Sequence, residues 1–148
     1  MADLRIRYID PSYTPKLGFA KPGDVGLDFP VRDRVVILPG AHQDLRTGIS
    51  VKLPDDCWGL VTARSSTFAR RRLLAFPGVI DSGYTGEVFA FVCNLSGEPV
   101  TVEPGESLVQ LIVVPKVGVT LRVVEDLGQT ERGDTGFGSS GVSGGVAK

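Results

Sequence analysis

Apolar residues recur along this chain in short bursts, most of them at a spacing of two, with proline, glycine and aspartate between the bursts. Residues 4–8 read Leu-Arg-Ile-Arg-Tyr, and residues 45–53 place Ile49, Val51 and Leu53 on one side. Such alternation marks a strand with one face in a core. Further apolar bursts of strand length fall at 35–38, 58–62, 100–102, 108–114 and 119–124. Pro39-Gly40, Pro54-Asp55 and Pro104-Gly105 close several of them with turn chemistry. Only residues 63–72 have helical composition, and they cover barely two turns. About ten short strands with almost no helix predict an all-β fold, a sandwich or jelly roll.

The stretch from 78 to 94, GVIDSGYTGEVFAFVCN, organises the rest. Residues 87–93 are aromatic or β-branched apart from Glu87, Ala90 and Cys93, the composition of a strand buried on both faces. Before it, Asp81 to Gly86 is a turn with two glycines, and Val79-Ile80 offers a partner strand. The pattern predicts a hairpin holding one carboxylate, Asp81, and one phenol, Tyr84, at its mouth. Asp81 reads either as a turn cap or as a reacting group aimed by stiff β-structure.

At 148 residues the chain has the size of one domain. A net charge of −1 argues against a general nucleic-acid binder or a protein held on anionic membranes. No apolar run approaches the ~18 residues of a membrane span, and the first ten residues lack the apolar block of a signal peptide. Cys57 and Cys93, without a C-x-x-C spacing, read as buried thiols of a reducing, cytoplasmic setting, with a disulfide left open. One histidine and no Cys/His cluster exclude a structural zinc site. Composition shifts at Gly128: seven of the 21 residues from there on are glycine, too few apolar groups to offset ordering entropy. The expected organisation is a core over 1–127 and a mobile or disordered Gly-rich C-terminal arm over 128–148.

Four other segments carry candidate chemistry. Asp24 and Asp28 flank a glycine just ahead of a strand. Arg64-Ser65-Ser66 opens the short helix, where Ser65 or Ser66 serves equally as an N-cap or as an anion contact. Gln110 is an amide inside an apolar strand, so it points outward or has a buried partner. The arm holds Arg132-Gly133-Asp134-Thr135-Gly136-Phe137-Gly138-Ser139. Its formal G-x-G-x-x-G lies too near the end of the sequence for a strand–turn–helix dinucleotide site. Glycine amides can nonetheless wrap an anion, Arg132 can chelate phosphate and Phe137 can stack on a base.

In this order, PGDVGLDF, ARSS, GVIDSGYTGEV with Asn94, PGESLVQL and RGDTGFGSSG resemble the five motifs of the trimeric dUTP diphosphatase (dUTPase) family. The resemblance implies a jelly-roll β-barrel, a homotrimer with sites at subunit boundaries, and Mg²⁺-dependent cleavage of dUTP to dUMP and diphosphate. It implies that Asp81 activates the water attacking the α-phosphorus and that Tyr84 packs under the deoxyribose. Main chain at Gly78, Val79, Ile80 and Phe89 would read uracil. Ser65, with Arg64, Ser66 and Gln110, would hold the α and β phosphates. Arg132 would take the γ-phosphate, Phe137 would stack on uracil, and Gly138 and Ser139 would surround the phosphates. Asp28 would reach Mg²⁺ only through water, the triphosphate supplying the rest. Two features depart from the family's habit: Ser66 stands where glycine is usual, and no asparagine precedes Asp81 to touch the base. Arg-Ser-Ser is typical of dCTP deaminases of the same fold, but these need a glutamate where Phe91 stands and lack the arm. A nucleotide-binding interaction protein without catalysis is the rival from another class.

Overall fold

The computed structural model describes residues 3–131, 133 and 134. Arg132, Phe137, Gly138 and Ser139 lie outside the described residues. The chain divides into two units, Met1–Val117 and Gly118–Lys148. Among the described residues the first holds ten strands and one helix: β1 (Arg5–Tyr8), β2 (Gly26–Pro30), β3 (Val35–Ile37), β4 (His42–Lys52), β5 (Cys57–Ala63), α1 (Ser65–Arg71), β6 (Leu73–Ala75), β7 (Gly78–Ile80), β8 (Glu87–Asn94), β9 (Val100–Val102) and β10 (Ser107–Pro115). The pairing is antiparallel throughout. One sheet runs β1-β4-β8-β6, a second β2-β10-β5-β7, and β3-β9 makes a ribbon. This is the expected all-β jelly roll, with sheets that keep open edges instead of closing into a full barrel.

Alternation places the core. In β4, Leu45, Thr47, Ile49 and Val51 point inward; in β8, Val88, Ala90, Val92 and Asn94 do. Phe29, Ile37, Leu73, Val109 and Leu111 join them from the other elements. Burying each large side chain contributes about 1.5–3 kcal/mol. The β4–β8 ladder breaks its register between Arg46 and Ser50. There Gly48 takes φ +70°, and Glu87 holds the irregularity: its Oε1 accepts the Gly48 N–H at 2.8 Å and its carboxylate takes the Arg46 guanidinium. Bulges of this kind re-aim a strand, here where β8 begins.

The long segment between β1 and β2 lacks regular structure but is pinned. Tyr8 Oη donates to Pro15 O at 2.9 Å and Tyr13 Oη to Val31 O at 2.7 Å. The Ser12 hydroxyl and amide, and then Arg32, hold the Asp10 carboxyl below its usual range. Helix α1 ends at Arg72, whose left-handed backbone (φ 53°) sends its N–H to Phe68 O at 3.0 Å.

Four expectations need correction. Residues 78–94 do not form a hairpin: β7 pairs with β5, whereas β8 pairs with β4 and β6 in the other sheet. Strand β8 is not buried on both faces, since Phe91 remains 43% exposed. Residues 119–124 form no strand, and Val119, Leu121 and Val123 lie open. Cys57 is buried but Cys93 only half so, and both thiols are free. Among the described residues no helix is long and apolar enough to cross a membrane.

Asn94 closes β8 and is wholly buried. Its Nδ2 donates to Ile37 O at 2.9 Å and Glu98 O at 2.8 Å, and its Oδ1 accepts from the amide and hydroxyl of Ser96. Every polar atom is satisfied, so its role is to tie β3, β8 and the following turn together. Asn94→Ala should destabilise the fold by about 2–4 kcal/mol. Urea denaturation checks this, and a loss under about 0.5 kcal/mol would contradict it.

Candidate active site

The split between β7 and β8 opens a cavity. Strand β6 accompanies β8 only as far as Ala75 opposite Val92. Phe76 then donates its N–H to Phe91 O at 2.8 Å, and after Pro77 the chain enters the other sheet as β7. There β7 is the edge strand, with β5 on one side only. Between the open edges of β7 and β8 lies a cavity of about 250 Å³, lined by Phe76, Gly78, Val79, Ile80, Phe89 and Phe91, with Asp81, Tyr84 and Glu87 at its margin. The rings of Phe89 and Phe91 stack at 6.0 Å. On the β8 side Phe91 O and Glu87 O already accept hydrogen bonds, so the walls combine apolar faces with the peptide edge of β7 and that of Phe89. That combination suits a flat, polar-edged ring.

Two hydrogen bonds from Tyr84 shape the loop from Asp81 to Gly86. The Tyr84 N–H bonds Asp81 O at 3.0 Å, and Tyr84 Oη bonds Glu87 O at 2.8 Å. The phenol therefore lies over Gly86, where a Cβ would come within 2.4 Å of Oη and 2.6 Å of Cζ. Glycine at 86 is the condition for that ring pose. The turn is closed by the main chain of Asp81, and its side chain is exposed.

A second cluster gathers across β2, β10 and β5. Asp28, Gln110 and Thr62 are cross-strand neighbours in register, so they share one face. Arg64 Nε pairs with Asp28 Oδ1 at 2.7 Å, its Nη1 donates to Ser107 O at 2.9 Å, and its amide to Leu108 O at 3.1 Å. Gln110 Nε2 donates to Ala63 O at 3.1 Å. Arg64 is itself the helix N-cap and no side-chain cap bond forms. Neither Ser65 nor Ser66 caps α1, and their hydroxyls remain available. Ser66 lines a groove of about 210 Å³ with Arg64, Arg70, Arg71 and Glu106. Arg71 pairs with Glu106 at 3.0 Å.

The two clusters are arranged along β5. Gly78 stands opposite Val61 and Gln110 opposite Thr62, the next residue, while Arg64, Ser65 and Ser66 follow past the end of that strand. Gly78, Val79, Ile80, Asp81, Tyr84 and Phe89 share one locus; Asp28, Arg64, Ser65, Ser66 and Gln110 share another. Sequence reasoning missed Phe76 as a wall of the first and Phe91 as its companion. The signal was the i, i+2 pair Phe89 and Phe91, which alternation puts on one face. It also missed the Arg71–Glu106 pair, whose members lie 35 residues apart in the chain. Among the described residues no group of three or more His, Cys, Asp or Glu could hold a metal ion.

Comparison with known proteins supplies a context. A family model described as dUTPase matches residues 13–141. A deoxyuridine 5'-triphosphate nucleotidohydrolase of Cutibacterium acnes is 42% identical over 147 residues, covering 97% of this chain and 95% of its own. The dUTPase of Staphylococcus bacteriophage 80alpha, solved with dUPNHPP, superposes with a TM-score of 0.84 at 26% identity, covering 95% of this chain and 99% of that one. A mutant dUTPase from phage phi11 of S. aureus, described for its coordination of a structural Mg(II) ion, gives a TM-score of 0.75 at 24% identity over 84% of this chain and 98% of its own.

The Asp28–Arg64 pair is about a third exposed on the arginine side, so its net contribution to stability is small. Asp28→Asn should shift the chemical denaturation midpoint by no more than the equivalent of about 1 kcal/mol. A loss above about 3 kcal/mol would make the pair a structural strut.

Proposed function

The chain belongs to the dUTPase family, and on that premise we propose that it hydrolyses dUTP to dUMP and diphosphate by attack of an Asp81-activated water on the α-phosphorus. The observation that carries this reading is the slot between β7 and β8, with Asp81 and Tyr84 at its margin. Uracil presents one donor flanked by two acceptors, and open peptide edges at Gly78, Val79, Ile80 and Phe89 offer the complementary groups. A slot walled by main chain leaves no space for a C5 methyl. The Tyr84 ring, fixed at both ends, would pack against the deoxyribose and leave no space for a 2′-hydroxyl.

In the reaction, Asp81 takes a proton from the water as its oxygen bonds to phosphorus. The bond from the α-phosphorus to the α–β bridging oxygen breaks, and diphosphate leaves with that oxygen. Arg64, Ser65, Ser66 and Gln110 would bind the α and β phosphates, and Arg132 the γ-phosphate. Phe137 would stack on the base, with Gly138 and Ser139 amides around the triphosphate. Preorganised cations at the developing charge are the largest expected catalytic contribution. Mg²⁺ would come with the triphosphate and neutralise its charge. Because Asp28 Oδ1 already holds Arg64, its other oxygen would face the ion, through water.

The site would be shared between chains of a homotrimer, the assembly that the family resemblance implies. The openly exposed Val119, Leu121, Val123 and Leu127 support the same reading, since such groups want a partner surface. Free Cys57 and Cys93 suit a reducing, cytoplasmic setting.

Diphosphate release from dUTP, with no ammonia released from dCTP, is the expected outcome of a direct assay. Asp81→Asn should lower turnover by roughly 10²–10⁴-fold while nucleotide binding survives; near-normal turnover would remove the role of Asp81. Equal co-expression of Asp81→Asn and Ser65→Ala chains should restore about a quarter of wild-type activity if sites combine residues of different subunits. No restoration would mean a site within one chain. Truncation before Arg132 should cut turnover by at least ~10²-fold without lowering the melting temperature, and unchanged kinetics would exclude a role for the arm.

A further inference from the structure

We infer that Gly26 is a positioning residue for the phosphate end of the site, acting through Gln110. Gly26 opens β2 opposite Ile112, and Gln110 is the next residue of β10 on that face. Its backbone lies outside the left-handed region, so φ does not demand a glycine. Space does: a Cβ at 26 would lie 2.0 Å from Gln110 Oε1, 2.7 Å from Cδ and 3.3 Å from Cβ. The amide of Gln110 therefore occupies the volume that any side chain at 26 would fill.

In that pose Gln110 reaches across the sheet in both directions. Its oxygen lies over β2, and its Nε2 donates to Ala63 O at the end of β5. A primary amide has two N–H donors. One is engaged by Ala63, which leaves the other for an anionic oxygen. Ala63 directly precedes Arg64, whose guanidinium is held by Asp28, the β2 residue opposite Gln110. Gly26 thus sets the amide that ties β5 down beside the helix start. The clash falls mainly on the far end of a flexible side chain, so an added methyl displaces the amide before it displaces the strand. The inference rests on the reading of Gln110 as a substrate contact.

The test is a double-mutant cycle in the full-length protein, read by steady-state kinetics with dUTP and by thermal melting. Gly26→Ala should raise KM about tenfold or more, the loss expected for one hydrogen bond to a charged oxygen. Its melting temperature should fall by no more than a few degrees. Gln110→Ala should divide its effect between KM and kcat in the same way. The double variant should be no worse than Gln110→Ala alone, because the amide that the methyl displaces is already absent. Losses that add in the double variant would overturn the inference. A Gly26→Ala protein that fails to fold, and is not rescued by Gln110→Ala, would overturn it too. Unchanged kinetics in Gln110→Ala would instead remove the substrate role of Gln110. The melting data would then still decide whether the glycine makes room for that side chain: relief in the double variant supports it and an unrelieved loss ends it.

Discussion

A chain that changes sheets must leave hydrogen-bonding groups behind, and this molecule is arranged around the place where it does so. Between Ala75 and Gly78 the backbone leaves one sheet and joins the edge of the other. Two strands that are close in sequence are thereby held apart, β7 with one whole edge uncovered and β8 with the stretch that the short β6 does not reach. Buried peptide groups do not stay unpartnered without loss, so the gap between those edges favours an occupant that pairs with both. The rest of the fold keeps the gap in place. The Glu87 carboxylate secures the bulge at the start of β8, Asn94 ties its end, and Gly59 lets β7 lie close against β5. A Cβ at 59 would come within 2.7 Å of Leu111 Cδ1 and 3.2 Å of Ile80 Cβ.

Most strands were legible from alternation, because a half-buried strand writes its period directly into the residues. The partner of a strand was not. Val79-Ile80 before a glycine-rich turn and a strand reads as a hairpin, and only the competition between β5 and β8 for the β7 edge decides otherwise. That competition is settled by packing far apart in sequence, such as Gly59 against Ile80. Residues 119–124 show the opposite failure. Their composition is that of a strand, yet among the described residues they form none, and composition does not say whether a partner lies in the same molecule.

The candidate site was legible as chemistry and illegible as geometry. Asp81, Tyr84, Arg64 and Gln110 stand out as residue types in unusual surroundings. Spacing alone did not reveal that Asp81 and Tyr84 line one cavity while Arg64 and Ser66 line another, or that Ser65 and Ser66 leave the cap position to Arg64. Aromatic walls at Phe76 and Phe91 were missed because a ring on a strand reads as core until its face is seen open.

A cavity edged by peptide groups has an evolutionary consequence. Substituting Val79 or Phe89 alters bulk at the slot but leaves the pattern of N–H and C=O groups along β7 and β8 as it was. Drift at these positions is therefore free to retune fit while the hydrogen-bonding alphabet stays constant. A compound that reads the same alphabet would leave point mutation little opportunity for escape.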